Sequence, residues 1–360
     1  MNIVKLFAKI LWVITNKLFV VLVKAKSNDT NSKIKIYYGG AFKGDLGGPL
    51  VKVKRLTQNY PEHHYDFNLL YCLSNFPYLS KRSLEIIKRK NIPIVLNQNG
   101  VYFSGWYGNG WESKNNKLVP AYQLADYIFW QSEFCQVSAN KYLGKNNTPG
   151  EVLFNAVDIT KFRPIKNNNE EFTFLTTGVF TDSMRYRLVA TIEAFSIFHE
   201  KQKESRLIIA GYVSNKLKKQ VDNLIITRNL QRKIKIIGSY SQNIAPNIYS
   251  RADAYIMLKY MDASPNVVIE AMASGLPVIY SATGGVPELV GQDCGVGIFL
   301  ETSWESKPYA PEPNLVSDAM NYVLVNQKKL SINARSHAEN NFDLQKWLIR
   351  HEKVFNRYVN

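Results

Sequence analysis

The stretch Tyr255-Ile-Met-Leu-Lys-Tyr-Met-Asp-Ala-Ser-Pro-Asn-Val-Val-Ile-Glu-Ala-Met-Ala-Ser-Gly-Leu-Pro-Val-Ile-Tyr280 decides the fold. It reads as strand, loop, helix, glycine stop and strand. Ser264 and Pro265 are residue types favoured at a helix N-cap and first turn, and Gly275 suits a C-terminal stop. A helix N-terminus at the carboxyl end of a parallel strand is a natural anion site, because its free N–H groups point at a phosphate. Asp262 stands in the loop before this helix, and Glu270 lies about one and a half turns into it. Two carboxylates therefore flank the place where a phosphate would lie. A carboxylate can accept both hydrogen bonds of a vicinal diol, which is what ribose presents. Ribose, diphosphate and sugar in line describe a nucleotide sugar.

Outward from this stretch the pattern repeats. Strand-like runs at Phe172 to Thr177, Arg206 to Ala210 and Ile234 to Ile237 alternate with helical runs at Tyr186 to His199, Ser214 to Arg228 and Ile244 to Ser250. An earlier series has strands at Lys33 to Tyr38, Asn68 to Leu73, Ile92 to Asn97 and Tyr127 to Trp130. Its first strand is followed by the glycine-rich loop Gly44-Asp45-Leu46-Gly47-Gly48-Pro49. Strands alternating with helices imply right-handed crossovers and parallel sheets, so the fold class is α/β. With 360 residues the chain is too long for one ordinary core. We expect a helix and linker at 1–32, Rossmann-like domains at 33–160 and 161–337, and a C-terminal helix at 338–360 that returns to the N-terminal domain.

The 45 Lys and Arg residues outnumber the 29 Asp and Glu, giving a formal charge of +16 that favours anionic partners. Without zinc-finger spacing or an RNA-recognition aromatic motif, nucleic acid is the weakest of these. Cys72, Cys135 and Cys294 are too scattered for a metal site or disulfide framework, which suits a reducing compartment. In Met1 to Lys26 the apolar run is broken by Lys9, Asn16 and Lys17, so no span of ~20 apolar residues forms. On a helix of about 100° per residue, Lys5, Lys9 and Asn16 share an arc that Lys17 and Lys24 widen. A basic amphipathic helix over residues 3–26, bearing Trp12 and Phe19, reads as an in-plane anchor on an anionic membrane. Packing against the protein's own body is the other reading.

Asp262-x7-Glu270, the run Ala271-Met-Ala-Ser-Gly-Leu-Pro-Val278 and Thr283-Gly-Gly-Val-Pro-Glu-Leu-Val290 together resemble the donor-site signature of the family 4 retaining glycosyltransferases of GT-B fold. Ala125 to Ser132, Phe154 to Pro164 and Leu207 to Gly211 are similar to further landmarks of that family, in the same order. The resemblance implies two facing Rossmann-like domains. It implies that Glu270 binds the donor ribose and that Asp262, in place of the usual Glu, contacts the transferred sugar. The segment carrying Ser264, Pro265, Asn266 and Val267 would give N–H groups to the diphosphate, which Gly47 and Gly48 would approach from the first domain.

Two places depart from the family. Val179 stands where an Arg is usual, leaving Arg185 at the second cationic place and Arg187 as the candidate replacement. Asn97-Gln98-Asn99 stands where many members carry a His. No Asp-x-Asp occurs, so the cations and the helix N-terminus would stabilise the leaving diphosphate without a metal. The implied function is a metal-independent, retaining transfer of a hexose-type sugar from a UDP- or GDP-sugar, with no other cofactor. The acceptor would be a glycan or lipid-linked intermediate of a cell-surface polysaccharide, met at the cytoplasmic side of the plasma membrane. The alternatives are a non-catalytic nucleotide-sugar-binding partner and a GT-B epimerase or phosphorylase.

Overall fold

The computed structural model describes residues 3–25, 33–44, 48–74, 79–165 and 170–360. Gly47 and the expected linker at 28–32 lie outside the described residues, as do the side chains of Lys5 and Lys9. The chain divides into one unit of Met1–Leu153 with Gln345–Asn360 and a second of Phe154–Leu344.

The first unit begins with α1 (Ile3–Leu22), β1 (Ile36–Tyr37), α2 (Gly48–Asn59), β2 (Leu69–Leu73), α3 (Lys81–Arg89) and β3 (Ile94–Gln98). It continues with α4 (Ser104–Tyr107), α5 (Trp111–Leu124), β4 (Tyr127–Trp130), α6 (Glu133–Leu143) and β5 (Gly150–Val152). Side chains of Ser80 and Ser132 accept from the N–H groups of Ser83 and Cys135, fixing the starts of α3 and α6. Every residue of β3 and β4 is buried, as expected of parallel strands covered on both faces. The strands are parallel and lie in chain order, β1-β2-β3-β4-β5. The layering is Rossmann-like, but among the described strands the order never reverses.

The α1 helix corrects the reading of its polar arc. Asn16 is 5% exposed, and its Oδ1 accepts the Tyr37 hydroxyl hydrogen bond. The face bearing Asn16 therefore turns inward with Val20 and Val23, while Ile10, Leu11, Ile14, Leu18, Val21 and Leu22 are exposed. Lys17 and Lys24 are exposed with them. A buried amide needs partners, and Tyr37 supplies one, so the amide rather than the aliphatic stripe faces the body. Lys90 Nζ donates to the carbonyls of Val20, Val21 and Val23, capping the end of α1 with a cation. No described helix is long and apolar enough to cross a membrane.

The second unit contains β6 (Phe172–Phe180), α7 (Arg185–Lys201), β7 (Ser205–Val213), α8 (Asn215–Thr227), β8 (Ile234–Ile237) and α9 (Ala245–Tyr249). Then follow β9 (Ala254–Met257), α10 (Asn266–Ala273), β10 (Val278–Ser281), α11 (Val286–Val290), β11 (Gly295–Ile298) and α12 (Pro313–Asn341). Its parallel sheet has the order β11-β10-β9-β6-β7-β8, so the chain works outward from β6 on one side and then returns to its other side. That reversal falls between β6 and β9. These two pair only at Phe174 with Ala254 and Leu175 with Tyr255, whereas β6 stays paired with β7 as far as Phe180 and Val213. Beyond Leu175, β6 and β9 therefore part at their carboxyl ends. Alternate residues feed two apolar layers, Leu175, Tyr255 and Val278 on one face and Phe174, Ile256 and Ile279 on the other.

The last helix, α13 (Leu344–Val359), supplies the residues from Gln345 onward that close the first unit. Within it His351 is fully buried. Its Nδ1 lies 2.9 Å from the Trp347 carbonyl oxygen and its Nε2 lies 2.9 Å from the Tyr71 hydroxyl. With Nδ1–H donating to the carbonyl, the neutral ring leaves Nε2 to accept from the Tyr71 hydroxyl. Burial pushes the imidazole down from 6.5 to about 3, with Lys52 adding to the effect. The unfolded ring takes up a proton near pH 6.5 while the folded ring stays neutral until about pH 3, so stability is lost as pH falls through that window. Urea unfolding at a series of acid pH values should show the loss in the wild-type chain and a flatter profile in His351→Gln, the slopes differing by at most about 1.4 kcal/mol per pH unit. Parallel profiles would mean that His351 titrates alike in both states.

Candidate active site in the second unit

Three segments build the site at the parting of β6 and β9. After β9 the chain turns through Lys259, Tyr260, Met261 and Asp262 before α10 begins at Asn266. The helix starts one residue later than the sequence suggests. Its N-cap is Pro265, without a side-chain cap, and Ser264 is engaged elsewhere. The Ser264 Oγ and carbonyl oxygen each lie 3.3 Å from Asn155 Nδ2, and its N–H donates to Asp262 Oδ1 at 3.3 Å. Asp262 thus holds the loop and does not cap the helix. The first-turn N–H groups of Asn266 and Val267 have no partner within α10, as at any helix start. Gly275 ends the helix with φ +78°, the Leu276 N–H donating back to the Ala271 carbonyl oxygen at 2.9 Å.

The run Thr283-Gly284-Gly285 braces this loop from behind. Thr283 Oγ1 accepts from the Met261 N–H at 2.9 Å, and the Gly285 N–H donates to the Asp262 carbonyl oxygen at 2.9 Å. A Cβ on Gly284 would stand 2.4 Å from that same oxygen, so only glycine permits the approach. Met261 adopts φ +48°, a conformation a side chain pays for unless its surroundings enforce it. The Asp262 carboxylate pairs with Lys259 Nζ at 2.5 Å.

Glu270 is 6% exposed. Its two oxygens accept from Gln242 Nε2 at 2.8 Å and from the Tyr249 hydroxyl at 3.0 Å. A carboxylate has about four lone-pair sites, and these two bonds use one on each oxygen. Burial, with the Glu270 charge second, raises the Tyr249 hydroxyl well above the usual tyrosine range and keeps it a donor. The Tyr255 and Thr177 hydroxyls, 2.9 Å apart, carry the polar network back into β6 and β9.

The three candidate cationic places separate in space. Val179 is 66% exposed. Arg185 is exposed at the start of α7, and its Nε donates to Gln220 on α8 at 3.1 Å. Arg187 is 5% exposed, its guanidinium 4.9 Å from the centre of the Phe180 ring. Its Nη2 reaches the Met257 sulfur at 3.6 Å, and its buried Nε has no hydrogen-bond partner. Gly178 makes room for it, since a Cβ there would lie 3.4 Å from Nη1. No described carboxylate forms an ion pair with it. A desolvated guanidinium held by a sulfur and a ring is short of an anion.

Sequence reading missed Gln242, Tyr249, Lys259 and Asn155. Lys259 carried a local signal, three residues before Asp262. The other three reach the site from separate loops and a separate helix, and nothing in their spacing announces it. Of the predicted residues, Glu270, Asp262, Ser264, Pro265, Asn266, Val267 and Arg187 lie in or beside these segments, while Gly48 begins α2 in the other unit.

Residues 158–334 match the family model of the glycosyl transferases group 1. An uncharacterized glycosyltransferase of Methanocaldococcus jannaschii is 22% identical over 236 residues, 60% of this chain and 53% of that protein. Mannosylfructose-phosphate synthase of Agrobacterium fabrum is 30% identical over 122 residues, 31% of this chain and 26% of that protein. The chain therefore spans about half the length, or less, of these curated relatives. Among solved structures, Anabaena HepE in complex with UDP has a TM-score of 0.64 at 16% identity, covering 86% of this chain and 82% of that one. Sucrose-phosphate synthase from Thermosynechococcus elongatus has a TM-score of 0.64 at 15% identity, covering 93% and 87%. The fold is GT-B, with two parallel-sheet α/β domains.

Removing an uncompensated buried charge relieves the folded state. Arg187→Met should melt at the same temperature as the wild type or higher. Inorganic pyrophosphate should raise the melting temperature of the wild type and leave Arg187→Met unmoved. A strongly destabilised Arg187→Met, or one still stabilised by pyrophosphate, would remove Arg187 from the anion site.

Proposed function

We propose that the protein is a retaining, metal-independent glycosyltransferase of family 4 type that takes a hexose-type sugar from a UDP- or GDP-sugar. The observation that carries this reading is the buried Arg187 guanidinium, paired with no described carboxylate, where β6 and β9 part on the unit that holds Asp262 and Glu270. The donor diphosphate lies between Arg187 and the first turn of α10, with Asn266 and Val267 giving N–H groups. Glu270 receives the ribose hydroxyls. Lys259 releases Asp262 towards the sugar and adds a second cation, which answers the absence of an Arg at position 179. Arg185 is left a supporting role near α8. The glycosyl transferases group 1 match over residues 158–334 and a neighbour solved with UDP-glucose support the donor class.

The two carboxylates should fail differently. Glu270→Gln weakens ribose binding in ground and transition states alike and raises KM for the donor, by about 10- to 150-fold for a lost charge-assisted bond of about 1.5–3 kcal/mol. Asp262→Asn lowers kcat more than it raises KM, because positive charge develops at the anomeric carbon beside it. Assays of both variants and the wild type run in excess EDTA, where the wild type keeps its activity. A folded Asp262→Asn enzyme with wild-type kcat would end its catalytic assignment, and loss of wild-type turnover on chelation would end the metal-independent one.

The acceptor is a glycan or lipid-linked intermediate met at an anionic membrane surface on the cytoplasmic side. The support is α1, whose exposed Ile10, Leu11, Ile14, Leu18, Val21 and Leu22 form an aliphatic stripe with Lys17 and Lys24 beside it. Because α1 also packs on its unit through Asn16 and Val20, substitution at the surface is a cleaner test than deletion. Leu18→Gln with Leu22→Gln should fold normally and lose sedimentation with anionic liposomes, and wild-type binding should weaken with salt. Undiminished sedimentation of the double variant would place the membrane contact elsewhere.

A further inference from the structure

The loop that leaves β3 carries a cluster of exposed aromatic rings. It reads Val101-Tyr-Phe-Ser-Gly-Trp-Tyr-Gly-Asn-Gly-Trp111 and runs through α4 into α5. Trp106 is 42% exposed and Tyr107 is 40% exposed. The Tyr102 and Trp106 rings stack at 5.3 Å and 23°, and Tyr107 meets Tyr102 edge-on at 5.0 Å. The buried Asn115 clamps the backbone beneath, its Oδ1 accepting from the Tyr102 N–H at 3.0 Å and its Nδ2 donating to the Tyr102 carbonyl oxygen at 2.8 Å. Beside the rings, Gly108 and Gly110 take φ +76° and +85°, and a Cβ on either would meet nothing within 4 Å. The result is a rigid aromatic surface with open space next to it. It follows the carboxyl end of a parallel strand, the edge at which open α/β sheets receive ligands.

We infer that this loop is a saccharide-binding platform, on which Trp106 stacks against the C–H face of a pyranose ring of the acceptor glycan. The word acceptor rests on the function proposed above; the platform itself does not. A pyranose has an apolar face of axial hydrogens and a rim of hydroxyls, so it needs a flat ring with polar groups at its edge. Lys114, whose Nζ lies 5.5 Å from the Tyr107 ring centre, and the exposed Asn109 and Glu112 supply that edge. A bilayer wants the opposite chemistry. The α1 stripe is aliphatic, whereas between residues 99 and 124 the exposed large apolar side chains are Trp106 and Tyr107 alone. Rings already stacked and clamped lose little conformational freedom on binding, which favours recognition of a flexible sugar chain.

The test is calorimetric binding of short gluco-, manno- and N-acetylglucosamine oligosaccharides to the full chain without donor. At least one class should bind. Trp106→Ala should weaken it about ten-fold or more, and Trp106→Phe should keep most of the affinity. The thermal shift with UDP-sugars should be the same in all three proteins. The inference is overturned if no oligosaccharide of the panel binds the wild type, or if Trp106→Ala binds as the wild type does. It is overturned equally if Trp106→Ala loses only liposome binding. Absence of any nucleotide-sugar shift in the wild type, with Trp106-dependent saccharide binding intact, would end the transferase reading and leave the platform standing.

Discussion

The parting of β6 from β9 is the constraint on which the second unit turns. Parallel strands normally hold register along their shared length, yet these two share it only at Phe174–Ala254 and Leu175–Tyr255. The cause is topological: β6 follows β7 through Phe180, while β9 stops at Met257 to feed the Asp262 loop. Beside the parting lie the bonded Thr177 and Tyr255 hydroxyls and the Arg187 guanidinium, which reaches the Met257 sulfur. A buried cation beside a sulfur and a ring is an unfavourable state for a resting protein.

The braces around Asp262 follow the same logic. An aspartate proposed to contact a sugar must be held to within a fraction of an ångström, and a loop cannot do this unaided. Here Thr283 and Gly285 grip its backbone, Gly284 allows the grip, and Lys259 holds its carboxylate. The Thr-Gly-Gly run that follows β10 is thereby explained by what it supports, whatever else it touches.

Much of this could be read from the chain because the informative features are local. Asp262 and Glu270 stand eight positions apart on one loop and helix, Gly275 ends that helix in the sequence as in space, and strand-helix alternation announces both sheets. Other features depend on partners distant in sequence. By sequence Asn16 shares the polar arc of α1 with the lysines; in the fold it faces Tyr37, 21 residues away. The hydrogen bonds of Gln242 and Tyr249 to Glu270 span 28 and 21 residues. The N-cap falls at Pro265 and not at Ser264, because Asn155, 109 residues earlier, engages that serine. The first unit's strand order was equally hidden, since periodicity marks strands without saying which neighbour each will choose.

The contact between Asn16 and Tyr37 has a consequence for the whole of α1. A helix packed by aliphatic side chains alone can roll about its axis with little penalty, because one leucine serves nearly as well as another. An amide seated on a single hydroxyl works as a key in a slot and gives the cylinder one angular setting. With Gly40 so close that a Cβ there would overlap Asn16, the key cannot shift sideways either. The outward heading of Leu11, Leu18 and Leu22 is therefore built into the protein before it meets any surface, and a bilayer would find the helix already aimed.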